Sequence, residues 1–131
     1  MFLSYHISDE NVRLIEQLLV PCLEAAGIRV TSGGTLNRHA SGSGTAAMHA
    51  YKAIDSCELF VAIATPDNRD RTPSAFVMDE VGYASGRQKK VFIFARDDTT
   101  IPAVWQNTHF RTIFDGNDSG VLIRDVLQQL R

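Results

Sequence analysis

Two apolar runs constrain this chain more than anything else in it. Leu59-Phe-Val-Ala-Ile-Ala64 and Lys90-Val-Phe-Ile-Phe-Ala95 show no alternation of apolar and polar residues. A strand with one face in water alternates, whereas a strand covered on both faces does not. Between the two runs lies Pro73 to Gly86, in which Val77, Val81 and Ala84 recur at helical spacing. Two strands buried on both sides and joined by a helix describe a right-handed crossover between parallel neighbours.

The pattern extends in both directions. Met1 to Tyr5 reads as a first strand. Ser8-Asp9-Glu10 then offers a cap and first-turn acids for a helix carrying Val12, Ile15, Leu18, Leu19, Cys22, Leu23 and Ala26. Pro21 interrupts that helix by removing the amide that would bond Gln17, which predicts a bend or a tightened last stretch. Gly27 stops it. Ile28 to Val30 reads as a second strand, and Thr31 to Gly44 as a long glycine-rich loop, a length usually tied to function or disorder. A helix from about Thr45 presents Ala47, Ala50, Tyr51 and Ile54. Thr72-Pro73 reads as the cap and first position of the next helix. Thr108 to Phe114 reads as a last strand, and Asp118 or Ser119 caps a closing helix with Val121, Leu122, Val126, Leu127 and Leu130. Five strands alternating with helices predict an α/β, flavodoxin-like three-layer sandwich. Its parallel sheet has the order 2-1-3-4-5 and helices on both faces. One domain spans residues 1–131, and such a chain also suits one domain of a longer protein.

Composition narrows the function classes. A net charge of −2 and a pI near 6 give no basic footprint for nucleic acid or an anionic membrane. No apolar run is long enough to cross a bilayer, and Met1-Phe-Leu-Ser-Tyr-His6 is not a secretory signal, so a cytoplasmic protein is expected. Cys22 and Cys57 form no CxxC pair and read as reduced thiols in apolar surroundings. His6, His39, His49 and His109 lack zinc-like spacing, so no metal and no cofactor is expected. Gly42-Ser-Gly44-Thr-Ala-Ala47 matches GxGxxA, but a long loop precedes it and Asp55 is too near to serve as the ribose acid. Glycines at a helix start still suit a phosphate. Ser41 and Ser43 have no His–acid partner at readable spacing. Arg38 and Arg87 suit either a pyrophosphate or open solvent. Trp105 suits a satellite core or a stacking platform.

A parallel sheet of this order binds ligands beyond the carboxyl ends of its strands, between the first and third. That places Ser4, Tyr5 and His6 after one strand and Thr65 and Pro66 after the other. On the helix before the fourth strand, Phe76, Glu80, Tyr83 and Arg87 form one stripe beside the core stripe of Val77, Val81 and Ala84. Glu80 thus falls at the edge of the buried face, either a partly desolvated acid reaching the crevice or a surface glutamate on a helix flank. Asp79 points about 100° away from it and reads as solvated, so the two are not an acid pair.

At these residues the chain resembles the TIR (Toll/interleukin-1 receptor) domain family, of the bacterial NAD-cleaving type. Phe2-Leu-Ser-Tyr-His6 resembles that family's opening box. Leu23 to Val30, Ile54 to Pro66 and Ser74 to Phe94 resemble its further conserved segments, so the likeness covers nearly the whole chain. The resemblance implies an NAD glycohydrolase or cyclase of prokaryotic antiviral immunity, with NAD as substrate and activity through TIR–TIR self-association. It also implies a fused or separate sensor. Glu80, four residues after Phe76, takes the catalytic role. Ser4, Tyr5, His6, Gly33, Gly34, Thr65 and Phe76 are expected to bind substrate. Phenylalanine replaces the family's usual tryptophan at 76, and the Thr31 to Gly44 loop has no aromatic to stack on a base. Glycosidic cleavage leaves an oxocarbenium-like sugar, which one carboxylate can stabilise, orient or attack, and neutral nicotinamide leaves without a general acid. Two further readings stand beside this one: a non-catalytic TIR scaffold, and an enzyme like the nucleoside deoxyribosyltransferases, which share the topology and a glutamate acting at an anomeric carbon.

Overall fold

Lys90–Arg96 and Leu59–Ala64 pair side by side in parallel at the centre of a five-stranded sheet. The computed structural model describes residues 1–32, 45–105 and 110–130. Its strands are β1 (Phe2–Tyr5), β2 (Thr31–Ser32), β3 (Leu59–Ala64), β4 (Lys90–Arg96) and β5 (Phe110–Phe114), in the order β2-β1-β3-β4-β5 and parallel throughout. Among the described residues the helices that cover it are α1 (Asp9–Asn11, Val12–Leu19 and Val20–Ala25 in direct succession), α2 (Thr45–Ser56), α3 (Ala75–Gly86) and α4 (Ser119–Gln129). The flavodoxin-like layering and strand order predicted from the alternation are those observed.

Unalternating strands feed two cores. On one face Phe2, Phe60, Ala62, Ala64, Val91 and Ile93 pack against Ala50 and Ile54 of α2 and Val77, Val81 and Ala84 of α3. On the other, Leu3, Tyr5, Val61, Ile63 and Phe94 pack against Ile15, Leu19 and Leu23 of α1 and Leu122 and Val126 of α4. Each fully buried Leu, Ile or Phe here contributes roughly 1.5–3 kcal/mol. Trp105 is buried in the first core, which settles its two readings in favour of packing.

Local details depart from expectation in three places. Pro21 does not tighten α1. Instead Val12–Leu19 is wound wide, and the Val20 N–H bonds Ile15 O, five residues back. A wider turn spares the carbonyl that a proline ring would otherwise strike. The buried residues of α1 are accordingly Asn11, Ile15, Leu19 and Leu23, at steps of four, while Leu18 is 40 % exposed. The second strand is Thr31–Ser32, not Ile28–Val30. Gly27 turns the chain at φ +85°, Ile28 N–H caps back onto Leu23 O, and pairing starts only where Thr31 meets Phe2. The cap of α3 is Ser74, whose Oγ accepts from Val77 N–H, two residues later than the Thr72-Pro73 reading.

Candidate active site

Ser4, one residue before the end of β1, shares a sheet face with Phe2 and so points toward α3. Its registered neighbour on β3 is Ala62. Two small side chains in adjacent strands leave a hollow under α3, and the carboxyl group of Glu80 fills it. Ser4 Oγ donates to Glu80 Oε1 at 2.6 Å. Glu80 is 2 % exposed, deeper than the helix edge expected from its stripe. Its second oxygen, Oε2, is buried and has no hydrogen-bond partner among the described residues.

An acid so placed resists ionising. Burial drives its pKa up to about 7, the Ser4 hydroxyl pulls it down, and the nearby Asp79 charge adds a smaller upward push. Asp79 is exposed and accepts from Tyr51 OH, so it acts on Glu80 only through its charge. Glu80 is therefore a carboxyl group poised between its two forms near neutrality, with one oxygen held by Ser4 and the other buried without a hydrogen-bond partner among the described residues.

Above this hollow, at the carboxyl ends of β1 and β3, lies a ring of polar side chains. Asn11 is buried, and its Nδ2 donates both to His6 O (2.8 Å) and to Thr65 Oγ1 (3.0 Å). It stitches together the two strand ends that flank the switch point. His6 Nε2 lies 2.9 Å from Asp67 Oδ1, across the same gap, and both side chains are about one-third exposed. The loop carrying Asp67 is braced by Asp67 N–H on Thr72 O and by Asn68 on Asp70 and Thr72. Arg71, at φ 61°, donates to Asp98 Oδ2, and Asp98 is in turn held by Arg96.

The expected site residues are thus divided. Ser4 and Glu80 meet directly, and His6 and Thr65 sit on the rim above them. Tyr5 is buried in the opposite core, among the residues packed on α1 and α4, because successive strand residues face opposite ways. Phe76 lies one turn before Glu80 but is 40 % exposed on the outer side of α3. Gly33 and Gly34 lie outside the described residues. Sequence reasoning missed Asn11 and Asp67. Asn11 had a readable signal, a polar residue in step with Ile15, Leu19 and Leu23. Asp67 had none, since its pairing with His6 depends on two strands meeting. Among the described residues no group of three or more His, Cys, Asp or Glu side chains is placed to hold a metal ion. No helix among them is long and apolar enough to cross a membrane. Cys22 and Cys57 are free and half-buried.

No family model matches the chain, and no curated protein sequence does. A solved structure is similar over nearly its full length: a CMP N-glycosidase of Clostridium botulinum, BcmB. The two share 18 % identity and a TM-score of 0.64, over 96 % of this chain and 98 % of that one. At that identity the likeness establishes the shared fold. It also overturns the TIR assignment, because the full-length match is to a nucleotide glycosidase fold and not to a TIR domain. The segments that suggested TIR are the strands and helices of the 2-1-3-4-5 sheet itself. With the assignment goes the basis for TIR–TIR assembly and for a linked immune sensor.

Proposed function

We propose that this chain is an N-glycosidase that breaks the bond between base and sugar in a nucleoside or nucleoside 5′-monophosphate, with Glu80 acting at the anomeric carbon. The observation that carries this reading is the buried carboxyl group itself, with Oε1 held by Ser4 and Oε2 unpartnered among the described residues. Unsatisfied buried polar atoms are rare in native folds, and one at a sheet switch point suits a reacting group. The match to a CMP N-glycosidase supports the substrate class.

As the base departs, positive charge grows on the sugar ring. A carboxylate in a hollow lined by Ala62 and Ser4 meets that charge where water does not screen it, so its stabilising effect is far larger than in bulk solvent. Oε2 is the oxygen free to face or attack the anomeric carbon, while the Ser4 bond fixes the plane of the group. Water, or a second base in a transfer reaction, then completes the exchange. The test is release of free base from a panel of nucleosides, 2′-deoxynucleosides and their 5′-monophosphates, CMP and NAD included, followed by chromatography. Base release from at least one pyrimidine or purine substrate, lost in Glu80→Gln, is the expected result. Absence of release from every member of the panel contradicts the proposal.

A further inference from the structure

A nucleotide with an uncharged base poses a problem that a carboxylate alone does not solve. When the bond between the anomeric carbon and the base nitrogen breaks, the bonding electron pair leaves with the base, which must gain a proton to depart as a neutral molecule. Glu80 meets the sugar and carries the wrong charge for that task. Resting on the N-glycosidase reading, we propose that His6, held by Asp67, is the proton donor to the leaving base.

Position supports the role. Ser4 is the penultimate residue of β1 and His6 follows its last residue, Tyr5, so both belong to the carboxyl end of that strand. His6 therefore lies at the strand end just beyond the Ser4–Glu80 contact. Its placement is built from two directions. The buried Asn11 fixes its backbone carbonyl to the rim of β3, and Asp67 fixes Nε2 at 2.9 Å. With Nε2 committed to a carboxylate, the ring is oriented, and Nδ1 is left to present a proton. The side chain is 36 % exposed, which gives a base access to it. No other histidine among the described residues lies at these strand ends, since His49 is exposed on α2.

The proton balance closes. The imidazolium gives one proton to the departing base anion, yielding free base and neutral His6. Water adds its oxygen to the anomeric carbon and returns a proton to His6, yielding the free sugar phosphate. No other reactant is required. Asp67 is a positioning residue, acting only through the ring it holds.

The experiment compares kcat for base release from CMP with that from nicotinamide mononucleotide, whose base is already cationic and leaves neutral without a proton. In His6→Gln, turnover of CMP is expected to fall by about 10²-fold or more, the range of general acid catalysis. Turnover of nicotinamide mononucleotide is expected to fall far less. Asp67→Asn, which keeps the imidazole, is expected to show the same selectivity to a smaller degree, and it carries the comparison should His6→Gln not fold. Equal losses on both nucleotides overturn the proton-donor role while leaving Glu80 in place. Wild-type protein that opens nicotinamide mononucleotide but not CMP overturns it too. No base from either nucleotide overturns this inference, and only silence across the whole panel of nucleosides and nucleotides removes the reading of Glu80 as well.

Discussion

Glu80 holds a carboxyl group where water would ordinarily be needed to ionise it, and among the described residues the Ser4 hydroxyl is the donor that eases the charged form. Two predictions belong to these side chains. The working form of Glu80 is the carboxylate, so for nicotinamide mononucleotide, whose base leaves without a proton, kcat/KM is expected to rise with pH and level off above about 7. In Ser4→Ala the donor is lost, the carboxyl pKa rises further, and the acid limb of the pH–rate profile is expected to move to higher pH. An unmoved limb contradicts the coupling. Stability runs the other way. The folded chain holds the Glu80 proton more tightly than the unfolded chain, whose glutamate titrates near 4.5. Stability from this group is therefore full below that value, falls as pH rises toward about 7 and is flat above. The difference is on the order of 3 kcal/mol. Glu80→Gln removes the charge and keeps an acceptor for Ser4, so urea midpoints are expected to show it more stable than wild type at pH 8 and nearly equal at pH 4.

At the scale of elements, α3 delivers Glu80 only because β1 and β3 present small side chains beneath it. Ala62 and Ser4 are registered partners, while Phe2 and Phe60, the register pair two steps earlier, stack with ring centroids 5.7 Å apart and fill their part of the core. Replacing Ala62 by Leu puts bulk where the carboxyl group lies. Overpacking of this kind costs about 1–3 kcal/mol, and it is expected to displace α3 and lower kcat by far more than that loss of stability explains. Folded Ala62→Leu protein with wild-type turnover contradicts the idea that this hollow sets the geometry. The stripe Val77, Val81, Ala84 made α3 and its buried face legible in sequence, because helical periodicity needs no partner to be read. The depth of Glu80 was not, because it depends on the size of residues in two strands far off in the chain. The wide turn of α1 was equally hidden. Pro21 announced a disturbance, but a proline specifies only that a hydrogen bond is missing, and tighter and wider winding both satisfy that.

For the whole molecule, strand order and the position of the switch point were readable from alternation alone, since handed crossovers leave few arrangements for five buried strands. Family was not. The opening strand, the apolar third strand and an acid on the third helix satisfy the geometry of the fold before they satisfy any one chemistry, and similar sequence segments arise wherever that geometry is met. The fold brings one set of side chains to these strand ends: His6 after β1, Asn11 from α1, Thr65 and Asp67 after β3, and Glu80 against Ser4. The most direct measurement is a time course of cytosine release from CMP at pH 8 by wild-type and Glu80→Gln protein, each followed in parallel through thermal unfolding. The account predicts base release that drops by about 10³-fold or more in the glutamine variant, together with a higher unfolding temperature. Release that continues at the wild-type rate in a folded Glu80→Gln chain contradicts it.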